Sequence, residues 1–217
     1  MKILNLYAGI GGNRKLWGDE HEITAVELNE SIAKIYQDFF PNDTVIVTDA
    51  HQYLLDHFKE YDFIWSSPPC PTHSRMCNIN ASLGCVKYPD MKLYEEILLL
   101  KHRFEGVWCI ENVISYYDPL VEPKTVGNHY YWSNFYIPDI KEEPRKIAHF
   151  DGVETASNIR EKEIQFGYDL SQYNIAQGRK ELMLKNCVEP KTGLHILNMA
   201  TGAMPPIQEG LFERNNK

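Results

Sequence analysis

The chain has 217 residues, 43% of them hydrophobic and 24% charged, which is enough to bury the core of one α/β domain. This composition excludes a disordered, collagen-like or low-complexity protein. Lys+Arg 22 against Asp+Glu 30 leaves a formal charge of −8, so a nucleic-acid partner has to be held by local basic patches against the global field. No run approaches the roughly 18 consecutive apolar residues of a membrane span. The stretch before Gly9 is too short for an export signal, and an odd count of five cysteines reads as reduced thiols. A cytoplasmic protein is expected.

Residues 3–7 form a short apolar run that ends at the glycine turn Ala8-Gly9-Ile10-Gly11-Gly12, predicting a strand followed by a tight turn. Residues 21–26 predict a second strand, and 29–40 a helix with apolar spacing at Ile32, Ile35, Tyr36 and Phe39 that Pro41 closes. The β-branched run 44–48 predicts a third strand, after which Asp49 caps a helix over 52–58. Residues 61–66 predict a fourth strand, 91–104 a helix, and 107–110 a fifth strand ending at Glu111-Asn112. The aromatic run 129–137 suits further strands, and 141–174 is polar without a sustained period. Residues 177–186 suit a helix, and 187–197 a closing strand or helix.

Strand and helix in alternation with short connections predict parallel pairing and a doubly wound α/β sheet, one domain with a polar insert. Ligands of such sheets bind beyond the carboxyl ends of the strands. Gly9, Glu27, Asp49, Cys70 and Glu111 all fall at predicted strand ends.

The first turn lacks the G-x-G-x-x-G spacing of a dinucleotide fingerprint, but its glycines let the backbone approach a ligand closely. Glu27 stands where such folds accept ribose hydroxyls, and Asp49 is placed to accept from an adenine amino group. Arg14 and Lys15 are close, yet there is no Walker lysine, so the pattern favours an adenosine cofactor without phosphates. A tight turn beside two surface acids is the plain structural alternative.

Ser66-Ser67-Pro68-Pro69-Cys70-Pro71-Thr72-His73-Ser74 fixes a thiol between prolines. A thiol held at a strand end becomes a nucleophile where a cation favours its thiolate, and Arg75 is a candidate for that cation. Two alternatives stay open. The cysteine is a buried loop residue, or Cys70, His73, Cys77 and Cys85 hold a structural zinc. If the fourth and fifth strands are neighbours, Cys70 and Glu111 face one crevice. A nucleophile beside an acid suits addition to an electron-poor ring whose nitrogen the acid protonates.

In this order the motifs resemble the DNA cytosine-5 methyltransferases. Tyr7-Ala8-Gly9-Ile10-Gly11-Gly12 is similar to the family's opening F-A-G-x-G-G, Pro68-Pro69-Cys70 to its P-C loop, and Glu111-Asn112-Val113 to its E-N-V. Asn186-Cys187-Val188-Glu189-Pro190 resembles the closing G-N-x-V-x-P segment. The resemblance implies a Rossmann-like S-adenosylmethionine-dependent methyltransferase fold, with a catalytic and cofactor core over 1–133, a reduced target-recognition insert over 134–185, and a segment 186–217 completing the core. It implies S-adenosylmethionine as donor, held by Tyr7, Ala8, Gly9, Gly11, Gly12, Glu27, Leu28, Asp49, Ala50, Pro68, Asn186 and Val188. It further implies a DNA substrate with its cytosine flipped out, Cys70 as nucleophile, Glu111 as acid and Asn112 positioning the loop of Glu111.

Three residues depart from the family pattern. His129 stands where an arginine is expected to help hold the base, Pro71 follows Cys70 where Gln or Asn is usual, and Lys185 replaces a glycine. A neutral histidine can hydrogen-bond the base but is not a fixed charge near neutral pH. The insert is too short for a separate recognition domain. Its Arg145, Lys146, Arg179 and Lys180, with Tyr136, Phe166, Tyr168 and Tyr173 interspersed, are candidates with Arg75 for holding phosphates and stacking bases. Methylation of an RNA or free cytosine nucleotide by the same chemistry is the nearest alternative, and a non-catalytic binding subunit the next.

Overall fold

The computed structural model describes residues 1–75, 77, 87–140 and 156–202. Seven strands form one sheet: β1 (Lys2–Leu6), β2 (Glu22–Glu27), β3 (Thr44–Val47), β4 (Phe63–Ser66), β5 (Val107–Val113), β6 (Lys124–Val126) and β7 (His129–Ser133). Their order is β3-β2-β1-β4-β5-β7-β6. The first five run parallel, and β7 lies antiparallel between β5 and β6. The fold is the expected doubly wound, Rossmann-like α/β sheet. Winding reverses direction between β1 and β4, so the ligand crevice opens past the carboxyl ends of those two strands.

Helices cover both faces, which is why Ile3 to Leu6 and all of β4 are buried without alternation. Leu4, Leu6, Val26, Ile64 and Ile110 pack under α2 (Ala50–His57) and α3 (Lys92–Arg103), through Leu54, Leu93, Ile97 and Leu100. On the opposite face Ala25 meets Tyr36 and Phe40 at the end of α1 (Glu30–Phe39). Asp49 caps its helix as the sequence predicts, and the structure adds Asn29 as a second cap. Asn29 accepts from the backbone of Ser31 and Ile32, and Asp49 from that of Gln52 at 2.9 Å.

The connection from β1 to β2 holds only a 3-10 turn, Asn13–Leu16. The helix that covers this crossover comes instead from the far end of the chain. It is α6 (Pro190–Thr201), whose Ile196 and Leu197 pack with Ile3, Trp17, Ile23 and Phe63. The Trp17 indole donates to the Gly193 carbonyl at 3.1 Å, 176 residues away. A side chain on Gly193 would run into the Asn13 backbone.

The sequence expectations needed four adjustments. The closing strand or helix expected over 187–197 resolves to a helix over Pro190–Thr201. β6 was not foreseen, because three residues show no period. β5 runs on through Glu111 and Asn112, since antiparallel β7 pairs with Cys109 to Val113 and supplies backbone partners beyond the parallel ladder. The polar stretch 141–174 contains a helix, α4 (Ala156–Phe166), which with α5 (Gln177–Lys185) caps α1 through Ile159, Met183, Leu184 and Ile35.

Candidate active site

The first turn is built around strained backbone. Tyr7 has φ of 56°, a left-handed conformation costing a side-chain-bearing residue on the order of 1–2 kcal/mol. Ala8 donates to the Val26 carbonyl at 3.0 Å, which aims the turn over the end of β2. Gly9 follows, also left-handed at 56°, with nothing within 4 Å of where its side chain would stand. Its N–H donates to Glu27 Oε2 at 3.1 Å, and Asn29 donates to Oε1 at 2.8 Å. Glu27 is therefore an oriented carboxylate beside an open stretch of backbone.

The other two glycines serve packing rather than close approach to a ligand. A side chain on Gly11 would strike Phe40 and Tyr36, and one on Gly12 would lie 2.5 Å from the Val188 carbonyl. The first turn is thus closed from behind by the C-terminal segment. Val188 is half-buried there and Asn186 is exposed at the end of α5. Leu28 and Val47 are exposed apolar residues at the ends of β2 and β3, and Asp49 lies two residues past Val47. The backbone of Gln52, and Lys92 nearby, hold the Asp49 carboxyl below the usual aspartate range. Ala50 turns into the core, leaving only its backbone for a ligand.

These residues fit an adenosine-type cofactor. An oriented carboxylate suits a ribose diol, and exposed apolar side chains suit a base. The cations nearest in sequence are committed elsewhere. Arg14 is buried, gripping Asp43 at 2.8 and 3.0 Å and Asp19 at 3.2 Å. Lys15 Nζ sits 4.4 Å above the Tyr168 ring and 4.7 Å above that of Phe39. Neither is presented for a phosphate.

Cys70 stands on the loop after β4, its carbonyl accepting from His73 and Ser74 at 2.9 and 3.0 Å. Asn112 Nδ2 donates to the Pro68 carbonyl at 3.0 Å, tying this loop to β5. Beyond the loop, His73 Nδ1 and the Tyr117 hydroxyl lie 2.6 Å apart, and Cys77 donates to the Pro71 carbonyl at 2.8 Å. Among the described residues no group of three His, Cys, Asp or Glu is placed to hold a metal. Cys85, the fourth member of the zinc alternative, lies outside the described residues.

Glu111 is buried on β5, and burial pushes its carboxyl above the ordinary value of 4.5, against opposing pulls from His129 and the Ser67 hydroxyl. His129 opens β7 and brings Nε2 to 3.6 Å from Glu111 Oε1. Burial first, and the charge of Glu111 second, push the Cys70 thiol upward. The structure therefore gathers Cys70, Glu111, Asn112 and His129 at the ends of adjacent strands.

Residues 1–98 match the family described as C-5 cytosine-specific DNA methylase. Over those residues the chain is similar to the cytosine-5 methylases. No curated protein matches the chain. Among solved structures it is similar to DNMT2 of Spodoptera frugiperda, at 28% identity over 52% of this chain and 35% of that one, with a TM-score of 0.37. A methyltransferase of Entamoeba histolytica is 14% identical over 66% of this chain and 57% of that one, with a TM-score of 0.40. A putative methyltransferase of Escherichia coli is 15% identical over 61% and 73%, with a TM-score of 0.37. The chain spans about a third of the length of the Spodoptera frugiperda DNMT2 chain. The family match supports S-adenosylmethionine-dependent methylation as the class of chemistry.

The expected nucleic-acid contacts divide. Arg75 is exposed on the Cys70 loop and Arg179 on α5, whereas Arg145 and Lys146 lie outside the described residues. Lys180 is half-buried, and its ammonium donates to the Leu170 carbonyl at 2.6 Å, fastening the cap. Of the insert aromatics, Tyr136 is exposed, whereas two others are engaged in packing. Tyr168 is buried, donates to the Ile10 carbonyl at 2.9 Å and meets Phe39 edge-on at 4.8 Å. Tyr173 reaches Asp38 on α1 at 3.0 Å.

Sequence reasoning missed Glu96, His51 and Ser67. Ser67 accepts the Trp65 indole N–H at 2.8 Å. Glu96 had a readable signal, since it interrupts the buried stripe Leu93, Ile97, Leu100 of α3 at helical spacing. A carboxylate there needs donors from another element.

Proposed function

We propose that the chain is a DNA cytosine-5 methyltransferase, with S-adenosylmethionine as donor and Cys70 as covalent nucleophile. The observation that carries this is the pairing of a thiol on the loop after β4 with a buried acid on β5, fastened to each other through Asn112 and Pro68. Glu27 and the Gly9 backbone would hold the donor's ribose side, with Leu28, Val47 and Asp49 around the base. When bound, the cofactor supplies an electrophilic methyl group.

The chain's residues do the rest. Cys70 gives its proton to solvent and the thiolate sulfur adds to carbon 6 of cytosine. Glu111, kept protonated to higher pH than a solvated carboxyl, donates to ring nitrogen 3 and so draws electrons through the ring. Carbon 5 becomes nucleophilic and takes the methyl group. Solvent then takes the carbon 5 proton, the Cys70 thiolate leaves carbon 6, and nitrogen 3 returns its proton to Glu111, restoring aromaticity. Asn112 holds the loop so that sulfur and acid address the same ring.

A second substrate has a specific observation in its favour. The net charge is −8, and the insert's Tyr168, Tyr173 and Lys180 are spent on packing, which leaves less surface for clamping a duplex. An RNA cytosine or a free nucleotide asks for less.

A transfer assay with tritiated S-adenosylmethionine decides, offering duplex DNA, single-stranded DNA, transfer RNA and dCMP in parallel. Label on carbon 5 of DNA cytosine is expected. Label only in RNA or dCMP keeps the chemistry and changes the substrate. Cofactor binding with no label anywhere points to a non-catalytic subunit.

A further inference from the structure

Glu96 lies on α3, outside the motifs that carry the methylase chemistry, and none of its surface is exposed. It nevertheless accepts three side-chain hydrogen bonds from three different elements. The Tyr7 hydroxyl donates to Oε1 at 2.6 Å, from the strained turn after β1. The Ser66 hydroxyl donates to Oε2 at 2.7 Å, from the last residue of β4 and four residues before Cys70. His51 Nδ1 stands 3.0 Å from Oε1 at the start of α2, two residues past Asp49.

We propose that Glu96 is a positioning residue for both halves of the transfer site, fixing the donor turn through Tyr7 and the root of the nucleophile loop through Ser66, with His51 as its counter-ion. The proposal rests on the donor reading given above. Its physical basis is that a buried carboxylate must be fully partnered, so these donors are held in one arrangement. The Tyr7 contact offsets the cost of left-handed backbone where the donor turn begins. Removing the Glu96 charge releases both anchors together.

His51 gives the device a pH dependence. Its other nitrogen, Nε2, lies 3.2 Å from Glu95, so the ring bridges two carboxylates. The hydrogen bond to Glu96 raises the imidazole above its ordinary value of 6.5 despite burial, with Glu95 adding to the rise and Lys92 opposing it. Asp49, at the cap of the same helix, also faces this charge. The imidazolium is present below the raised value and lost as pH rises through it. Glu96 then keeps only neutral donors, and donor affinity falls on the alkaline side.

The test is calorimetric titration of the full chain with S-adenosylmethionine from pH 6.5 to 9, on wild type, Glu96→Gln, Tyr7→Phe and His51→Asn. A midpoint for Cys70 alkylation by iodoacetamide is measured alongside. Expected are an affinity loss of tenfold or more in Glu96→Gln with a shifted alkylation profile, a loss confined to donor affinity in Tyr7→Phe, and a flattened pH profile in His51→Asn. An unchanged affinity in Glu96→Gln or Tyr7→Phe, or an undiminished pH slope in His51→Asn, overturns the proposal. Should Glu96→Gln fail to fold, the other two variants decide in the same terms. A wild-type chain that binds no S-adenosylmethionine overturns the donor reading and this proposal with it; wild-type binding with unaffected variants overturns the proposal alone.

Discussion

Glu111 Oε1 and His129 Nε2 lie 3.6 Å apart across the junction of β5 and β7. The register explains the meeting. His129 is paired with Val113, two residues from Glu111 on the same face, so the two side chains are diagonal neighbours on one side of the sheet. The hairpin from β6 to β7 turns on Gly127 and Asn128, and Gly127 takes the left-handed φ of 56° that a two-residue turn requires. That turn delivers His129 to the acid.

This pairing tempers the titration of the acid. Burial raises the Glu111 carboxyl and His129 pulls it back. His129→Ala should therefore raise it further, read by the pH titration of the carboxyl carbon in isotope-labelled protein. The sign for stability follows. Because folding raises this group's pKa, its contribution is fully present below 4.5 and is lost as pH rises through the raised value. A downward shift in His129→Ala would remove the histidine from the acid's environment.

The thiol answers to the same acid. After burial, the charge of Glu111 is the next cause holding the Cys70 thiol above its ordinary 9.0. Glu111→Gln should move the pH midpoint of Cys70 alkylation downward while burial still keeps it elevated. The modified peptide, identified by mass, separates Cys70 from buried Cys77 and Cys109. A midpoint that stays put or rises would mean the two groups do not sense each other.

Cys70→Ala should abolish methyl transfer and leave donor affinity nearly intact, since all the proposed donor residues except Pro68 lie on other elements. Labelled transfer and calorimetry measure the two halves separately. Appreciable residual turnover would refute nucleophilic catalysis by this residue.

Glu27→Ala should weaken donor binding by about 1.5–3 kcal/mol, the range for charge-assisted hydrogen bonds. The loss includes the freed N–H groups of Gly9 and Asn29, which Glu27 now holds in place. An unchanged dissociation constant would take Glu27 out of the site.

Arg14→Met should destabilise the fold by roughly 3–5 kcal/mol, the cost of stranding one partner of a buried ion pair. Asp43 would keep only the Tyr36 hydroxyl, at 2.8 Å, among its present side-chain donors. Urea unfolding reads the loss, and a change under 1 kcal/mol would show the pair to be solvated.

Much of this architecture is legible in the sequence because its determinants are local. The helix cap Asp49, the apolar spacing of α1 and the β-branched run of β3 each sit within a few residues of what they specify. Cys70 between prolines and Glu111 at the end of an apolar run are visible for the same reason. The packing of the insert is not legible in the sequence, because pattern and packing disagree there. Tyr168 and Lys180 are interspersed with charges, so they look solvent-facing, yet the carbonyls of Ile10 and Leu170 and the ring of Phe39 give them buried partners.

What the sequence determined by itself is the alternation that builds the sheet and the residue types that stand at its strand ends. Tertiary structure alone decided which of those ends are joined and by what. Tyr7 meets Glu96 across 89 residues, and Trp17 meets Gly193 across 176. Helix α6 covers the β1–β2 crossover for the same reason: the local segment is too short to bury that face, so the sheet takes its cover from wherever the chain returns with an apolar stripe. Periodicity reports which face of a segment is buried; it carries no record of the partner that buries it.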